Sequence, residues 1–359
     1  MRVAILGGGH GCYAAAADLM LQGHDVTWWR RQHEAFEPLR QAATLGLTDP
    51  QGQHRVPLPT LCQDIGQAVH GAELLLLPTP AIAQDDIAKA LAPHLVDGQV
   101  VFLAPGTFGS YTMAQQVRSA GNQARVAWAE TGTLPYLARC RDAVSVNVSA
   151  RAVRLPTGVY PAAQTDHAMA VIQRAYASVH PCGNALSGAL MNAGPVIHPP
   201  LMIMNAAPLQ HFERWDIHNE GTQPVVRAVT DALDQERIAV REALGYGAPH
   251  YPLADHYQND RWMYGDAHRQ LVKSGDWREH IDLFTHRYIT EDVMLGLALL
   301  ASTARWAGVQ APVAHGILAM VGAYLGQDLR HGPRTLEALG LANQSQAAVH
   351  AALEQGSQA

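Results

Sequence analysis

The sequence predicts an α/β fold, with a doubly wound parallel sheet over residues 1–185 followed by an all-α domain over residues 186–359. Three observations carry this reading. The chain has 359 residues, more than the roughly 100–200 of an ordinary single domain. Its opening residues alternate strand, glycine turn, helix and strand. From about Ala185 onward, strand-like runs give way to long helix-compatible stretches.

Each element follows from local composition. Residues 2–6 (RVAIL) are apolar and β-favouring, and they run directly into Gly7-Gly8-Gly9-His10-Gly11. The alanine-rich stretch 13–21 favours helix and stops at Gly23, and 25–29 reads as a second strand. The alternation continues with a strand at 73–77, a helix near 85–95 and a strand at 100–103. Further strands are predicted at 125–129 and 143–149. Strands separated by helices predict a parallel sheet covered on both faces. In the second half, helices are predicted over 223–244, 290–307 and 312–325, and the Gln/Ala/Ser-rich tail after Leu341 reads as a frayed helix. No repeat or low-complexity linker separates the halves, so direct packing of two domains is expected.

Composition narrows the function. Hydrophobic residues make up 48% and charged residues 16%, which marks a globular chain rather than a disordered one. A formal net charge of −6 argues against a nucleic-acid partner, although a few arginines can still hold an anionic substrate. Cys12, Cys62, Cys140 and Cys182 are scattered without a CxxC pair, which suggests neither a disulfide framework nor a zinc site. No apolar run approaches the roughly 20 residues of a membrane span, and no basic leader precedes the first strand. No membrane partner and a cytoplasmic location are expected.

The glycine turn matters because of its place. In a strand–turn–helix unit, Gly7 permits the tight turn and Gly9 lets a pyrophosphate approach the backbone, where it meets the positive end of the helix. This is the dinucleotide-binding start of a Rossmann domain, with His10 and Gly11 inside the turn. Cys12 occupies the position of the third fingerprint glycine, and it is small enough for close helix–strand packing. After the second strand, where NAD-binding domains carry an acid, stand Arg30 and Arg31. An arginine there pairs with a 2′-phosphate, so NADP(H) is the predicted preference and NAD(H) the alternative. The other reading makes both arginines solvated surface charges. Two more strand-end loops belong to the same edge, Pro78-Thr79 and Pro105-Gly106, and Glu130 is a further candidate for cofactor contact. Alone, they would read as ordinary turns.

Beyond the sheet stand Asn192-Ala193-Gly194-Pro195-Val196-Ile197-His198-Pro199, then Thr285-His286-Arg287-Tyr288-Ile289-Thr290-Glu291-Asp292-Val293, then Arg334-Thr335-Leu336-Glu337-Ala338-Leu339-Gly340. With Glu130-Thr131 and the N-terminal glycines, these segments resemble, in order along nearly the whole chain, the opine dehydrogenase family. The resemblance implies reductive condensation of an amino acid or amine with a 2-oxo acid through an imine, and the reverse oxidation. It also implies His198 as the catalytic histidine, Asp292 as its carboxylate partner, and Arg287 and Asn192 as substrate-binding residues. No metal is implied.

The residue types suit that chemistry. Imine formation needs a proton donor and acceptor near neutral pH, which is the range of histidine, and a carboxylate fixes its ring and tautomer. Arginine binds carboxylates through two parallel hydrogen bonds. Asp292 also reads as an acid near a helix N-terminus, a role compatible with the first. His250, His256, His268, His280 and His286 lack the compact spacing of a metal site. Trp262, Tyr264 and Trp277 are expected to line a mobile loop or the domain interface, or to shape the amino-acid pocket. Two other functions share the architecture, a hydroxy-acid or glycerol-phosphate dehydrogenase and a non-catalytic NADP-binding sensor. The first generally uses a catalytic lysine, and Lys273 is the sole lysine after residue 185. The apolar helices at 290–307 and 312–325 suggest a homodimer.

Overall fold

In the computed structural model, which describes residues 1–356, the opening run becomes β1 (Arg2–Leu6), the alanine-rich stretch α1 (His10–Leu21), and the next strand β2 (Asp25–Trp29). After α2 (Glu37–Ala42) come a hairpin, β3 (Thr44–Asp49) and β4 (Gly52–Pro57), then β5 (Thr60–Cys62) and α3 (Ile65–Val69). The chain continues through β6 (Leu74–Leu77), α4 (Gln84–Leu91), β7 (Val100–Leu103), α5 (Gly109–Ser119) and β8 (Ala127–Thr131). Then follow β9 (Tyr136–Cys140), β10 (Ser145–Arg151), β11 (Leu155–Tyr160), α6 (Thr165–Ile172), β12 (Val179–Asn184) and α7 (Ala185–Ala189).

The main sheet has the order β12-β11-β8-β7-β6-β1-β2-β5. Strands β5, β2, β1, β6, β7 and β8 are parallel, while β11 runs antiparallel to β8. Counting only the parallel strands, the order is 3-2-1-4-5-6, the doubly wound dinucleotide-binding topology. Its switch point falls between β1 and β6, so Gly7 and Pro78 leave the sheet side by side. β6 and β7 are buried along their whole length, as central parallel strands covered on both faces must be.

One predicted strand lies elsewhere. The run at 143–149 forms β10, which belongs not to the parallel sheet but to a second sheet of order β4-β3-β10-β9. Its partner is the hairpin inserted between β2 and β5, and pairing over such a sequence distance leaves no local signature. A partly buried charge cluster secures α1 to this sheet. Arg151 donates to Asp18 at 2.7 Å and to Asp49 at 2.8 Å, and the Tyr136 hydroxyl donates to the other Asp18 oxygen at 3.0 Å.

The chain divides into two units, Met1–Ala189 with residues 353–356, and Leu190–Ala352. The second unit contains α8 (Gly194–Met204), α9 (Ala206–His211), β13 (Trp215–Asp216), α10 (Pro224–Ala243), α11 (Ala254–Gln258), α12 (His268–Ser274) and β14 (Arg278–Glu279). A π-helical segment (Tyr288–Leu297), α13 (Ala298–Ala307), α14 (Pro312–Leu325) and α15 (Gln346–Gln355) follow. Two findings differ from the sequence reading. The helix predicted over 290–307 is π-wound through its first half, and β13 pairs with β14 as a two-residue ribbon within the otherwise helical unit. Tertiary contacts supply a cap that no local motif announces: Glu236 of α10 accepts from the Val313 and Ala314 N–H groups at the start of α14, at 2.7 and 3.0 Å. Among the described residues no helix is long and apolar enough to cross a membrane.

Candidate active site

The first part of the site is the turn after β1. Gly7 has φ +132°, and a Cβ there would lie 2.3 Å from Thr79 Cγ2, so no other residue fits. A Cβ at Gly9 would meet nothing within 4 Å. α1 starts with Gly9 at its N-cap, without a side-chain cap or an acid in its first turn. The positive helix end is thus left for a ligand anion. Cys12 is buried, with Sγ 3.9 Å from the Pro78 carbonyl oxygen, and burial pushes its thiol up to about 12. It acts as the small packing residue at the third fingerprint position. Gly11 packs closely on Pro78, and exposed His10 accepts from the Cys140 N–H at 3.0 Å.

The two arginines separate. Arg30 folds back over the turn, where a Cβ on Gly8 would lie 2.8 Å from its guanidinium carbon. Arg31 points away and pairs with Asp86 at 3.1 Å, both side chains being exposed.

Beside the turn, the Thr79 hydroxyl is buried without a hydrogen-bond partner. A buried polar group of this kind calls for a ligand or water. The neighbouring loop after β7 is held rigidly. Thr107 (φ +55°) and Phe108 (φ +64°) are both left-handed without being glycine. The Glu130 carboxylate accepts from the Phe108 N–H at 2.8 Å and from the Ser110 hydroxyl, and Gln84 donates to the Gly106 carbonyl at 2.9 Å. A Cβ on Gly106 would lie 2.1 Å from Glu130. Glu130, a cofactor-contact candidate from the sequence, is fully buried against the loop that carries Pro105 and Gly106 and braces it. Gln84 and Ser110 were not anticipated, because their roles depend on which strand ends are neighbours. The open glycine backbone, the uncapped helix start, the orphan Thr79 hydroxyl and the overlying Arg30 together fit a dinucleotide phosphate.

The second part of the site lies wholly within the helical unit. α8 and the π-helical segment meet with almost no gap, since a Cβ on Gly296 would lie 2.1 Å from Pro195 and one on Gly194 would lie 2.2 Å from Asp292 Oδ1. Across that contact His198 Nδ1 and Asp292 Oδ2 are 2.7 Å apart, with side chains 12% and 4% exposed. Burial pushes the Asp292 carboxyl up to about 7 against the opposing pull of Arg287. The short contact at Nδ1 fixes the imidazole ring against the carboxylate.

Arg287, half exposed, bonds Glu291 through one terminal nitrogen at 3.3 Å, and its guanidinium lies 5.3 Å from the Tyr288 ring centre. Asn192, a substrate-binding candidate from the sequence, stands just before α8. It is buried, and its side-chain oxygen accepts from the Gly194 N–H at 3.0 Å, so it fixes the start of α8 behind the dyad. Tyr288 and His218 were also missed. The Tyr288 ring stacks on His198, and its hydroxyl lies 3.1 Å from His218 Nε2. Tyr288 sat within the motif already singled out, whereas His218 carries no sequence signal. Glu337, in the third motif, bonds Ser302 and Arg305 of α13. Among the described residues no group of three or more His, Cys, Asp or Glu is placed to hold a metal ion. His256 instead packs against Trp262 and His268, and burial pushes its imidazole down to about 3.

Comparison with known proteins places this geometry. Residues 181–325 match the family described as NAD/NADP octopine/nopaline dehydrogenase, alpha-helical domain, and residues 3–131 match that of ketopantoate reductase PanE/ApbA. The chain is 27% identical to an opine dehydrogenase of Arthrobacter sp. (strain 1C) over 98% of both chains. Its fold is similar to that of octopine dehydrogenase in complex with NADH and agmatine, with a TM-score of 0.75 at 18% identity, covering 100% of this chain and 99% of the other. It is also similar to that of yersinopine dehydrogenase with NADP+ bound, with a TM-score of 0.63 at 18% identity over 99% and 97%. These likenesses together support the opine dehydrogenase family, and with it an NAD(P)-dependent oxidoreductase, for this chain.

Proposed function

We propose that this protein condenses the amine of an amino acid, or another amine, with a 2-oxo acid and reduces the resulting imine to a secondary amine, with NADPH preferred over NADH. The observation that carries the reading is the buried His198–Asp292 pair. In the forward direction His198 Nε2 takes a proton from the substrate ammonium, so that the nitrogen can add to the oxo carbon. It returns that proton to the carbinolamine hydroxyl, which leaves as water. Asp292 holds the Nδ1 proton and stabilises the imidazolium between these two transfers. The nicotinamide cofactor supplies the hydride that reduces the imine. Each turnover releases one water and takes up one proton when the product leaves as an ammonium. Arg287 keeps guanidinium donors beyond the one spent on Glu291, and these bind a substrate carboxylate. Arg30 receives the 2′-phosphate.

Two further features belong to the reading. A homodimer forms through the helical unit, on which Phe212, Phe284 and Met320 are exposed, and light scattering at micromolar concentration reads its mass directly. The protein works in the cytoplasm, a setting in keeping with four free thiols.

The test is a matrix of amines against 2-oxo acids, followed at the nicotinamide absorbance with NADPH and NADH in parallel. Oxidation of the cofactor that requires both partners is the expected result. Oxidation with an oxo acid alone would favour the hydroxy-acid dehydrogenase alternative, and no oxidation with any pair would favour the NADP-binding sensor.

A further inference from the structure

The His198 imidazole is held on more than its Nδ1 bond. Its ring lies on the Tyr288 ring with centroids 3.6 Å apart and planes 13° from parallel. Tyr288 is itself fully buried, and its hydroxyl meets His218 Nε2 at 3.1 Å. His218 follows β13 in a turn where Asp216 accepts from the His218 and Asn219 N–H groups at 3.2 and 3.1 Å. The Trp277 ring packs edgewise against His218 at 5.3 Å. Asp292 and Tyr288 lie one wide π-turn apart on the same segment, so one piece of backbone presents both the carboxylate and the aromatic surface to α8.

We propose that Tyr288 is a positioning residue for the His198–Asp292 dyad, its ring forming the platform for the imidazole and its hydroxyl latched by His218. The proposal rests on the catalytic reading of His198. The physical case is that a hydrogen bond at Nδ1 fixes one edge of the ring but leaves rotation about that bond. A stacked aromatic surface removes this rotation and thereby aims Nε2. A phenol face also favours a cation lying upon it, so the platform supports the imidazolium form between the two proton transfers.

Other groups bear on the same ring. Glu291 and Asp292 share the π-helical segment, Arg287 immediately precedes it, and His286 lies edgewise to Tyr288 at 4.4 Å. The Asp234–Arg237 pair of α10 closes on itself at 2.6 Å and on the Leu190 carbonyl at 3.1 Å. The remaining helices against α8, α9 and α14, carry His211, His315 and Tyr324.

Four variants test the proposal, Tyr288→Leu, Tyr288→Phe, His218→Phe and the double variant Tyr288→Phe/His218→Phe. Each is assayed on whichever amine and 2-oxo acid pair the wild type turns over, so failure of the catalytic reading shows earlier, as an active His198→Ala protein. Tyr288→Leu should lower kcat by roughly 10–100-fold, the scale of a misplaced catalytic group. It should leave KM for NADPH unchanged, displace the acid limb of the pH–kcat profile, and weaken the low-field proton NMR signal of the His198 Nδ1–H. Tyr288→Phe keeps the platform and should restore most of kcat and the signal. If the hydroxyl acts through His218, Tyr288→Phe, His218→Phe and the double variant should share the same small loss. A folded Tyr288→Leu protein with wild-type kcat and pH profile would overturn the platform. If Tyr288→Leu does not fold, the other three variants decide: multiplicative losses in the double variant, or a Tyr288→Phe protein without the His198 signal, would overturn the proposal.

Discussion

The glycine turn and the His198–Asp292 dyad solve the problem of binding in opposite ways. The turn offers backbone. Gly9 faces open space, the helix start is uncapped, and a side-chain cation over the turn, Arg30, arrives from the end of the next strand. The dyad offers side chains that are nearly buried and already paired, clamped where Gly194 and Gly296 let two helical segments touch. An anion-binding surface can afford openness, because partial charges on N–H groups need no tuning. A pair proposed to move protons cannot, because exclusion from water is what raises the Asp292 carboxyl to about 7.

The largest effect that would break this comparison is at the dyad. His198→Ala should lower kcat by about 10²–10⁴ and Asp292→Asn comparably, with the double variant little worse than the worse single one. NADPH affinity, measured by fluorescence titration, should be unchanged in all three. A parallel loss of cofactor binding would mean that the two regions are not separable.

Next comes the packing that supports the pair. Gly194→Val puts a side chain where Asp292 Oδ1 now sits, 2.2 Å from the new Cβ. Displacing a catalytic group by about 1 Å costs about 10² in rate, so kcat should fall by that order while KM for NADPH holds. A wild-type kcat would show that the close approach is not needed for catalysis.

Arg30→Asp sharpens the other side. Loss of a charge-assisted contact worth about 1.5–3 kcal/mol should move the NADPH/NADH ratio of kcat/KM toward NADH by roughly tenfold to a hundredfold. Equal kcat/KM for the two cofactors in the unmodified protein would already refute the role. Arg31→Ala should leave the same ratio unaltered, since Arg31 is spent on the exposed Asp86. An Arg31 effect as large as that of Arg30 would transfer the assignment.

The smallest effect is thermodynamic. The folded-state pKa of Asp292 lies above its ordinary value, so its protonated form favours folding. That contribution is complete below about pH 4 and is lost as pH rises through about 7. Between those limits Tm should decline in the wild type relative to Asp292→Asn, which carries no charge to bury. Parallel Tm curves for the two proteins would contradict the burial argument.

What the sequence by itself determined lies close together in the chain. Strand β1, the glycine turn and α1 follow from some twenty consecutive residues, because apolar runs, glycine conformational freedom and helix propensity act locally. The helix at Pro312–Leu325 was legible with its boundaries for the same reason, with proline at its first turn and glycine after its end. His198, Asp292 and Arg287 could be named from motif resemblance, yet nothing in their local sequence says that residues 94 positions apart meet at 2.7 Å. The tertiary structure alone decided that Arg30 turns toward the glycines and Arg31 away, that Glu130 braces the loop at Gly106 and Asn192 the start of α8, and that β10 joins a second sheet. It also decided that Tyr288 and His218 enclose the imidazole. The physical reason is common to all of them: each depends on which surfaces close packing brings together, and that is settled by burial and pairing across the whole fold rather than by the preferences of neighbouring residues.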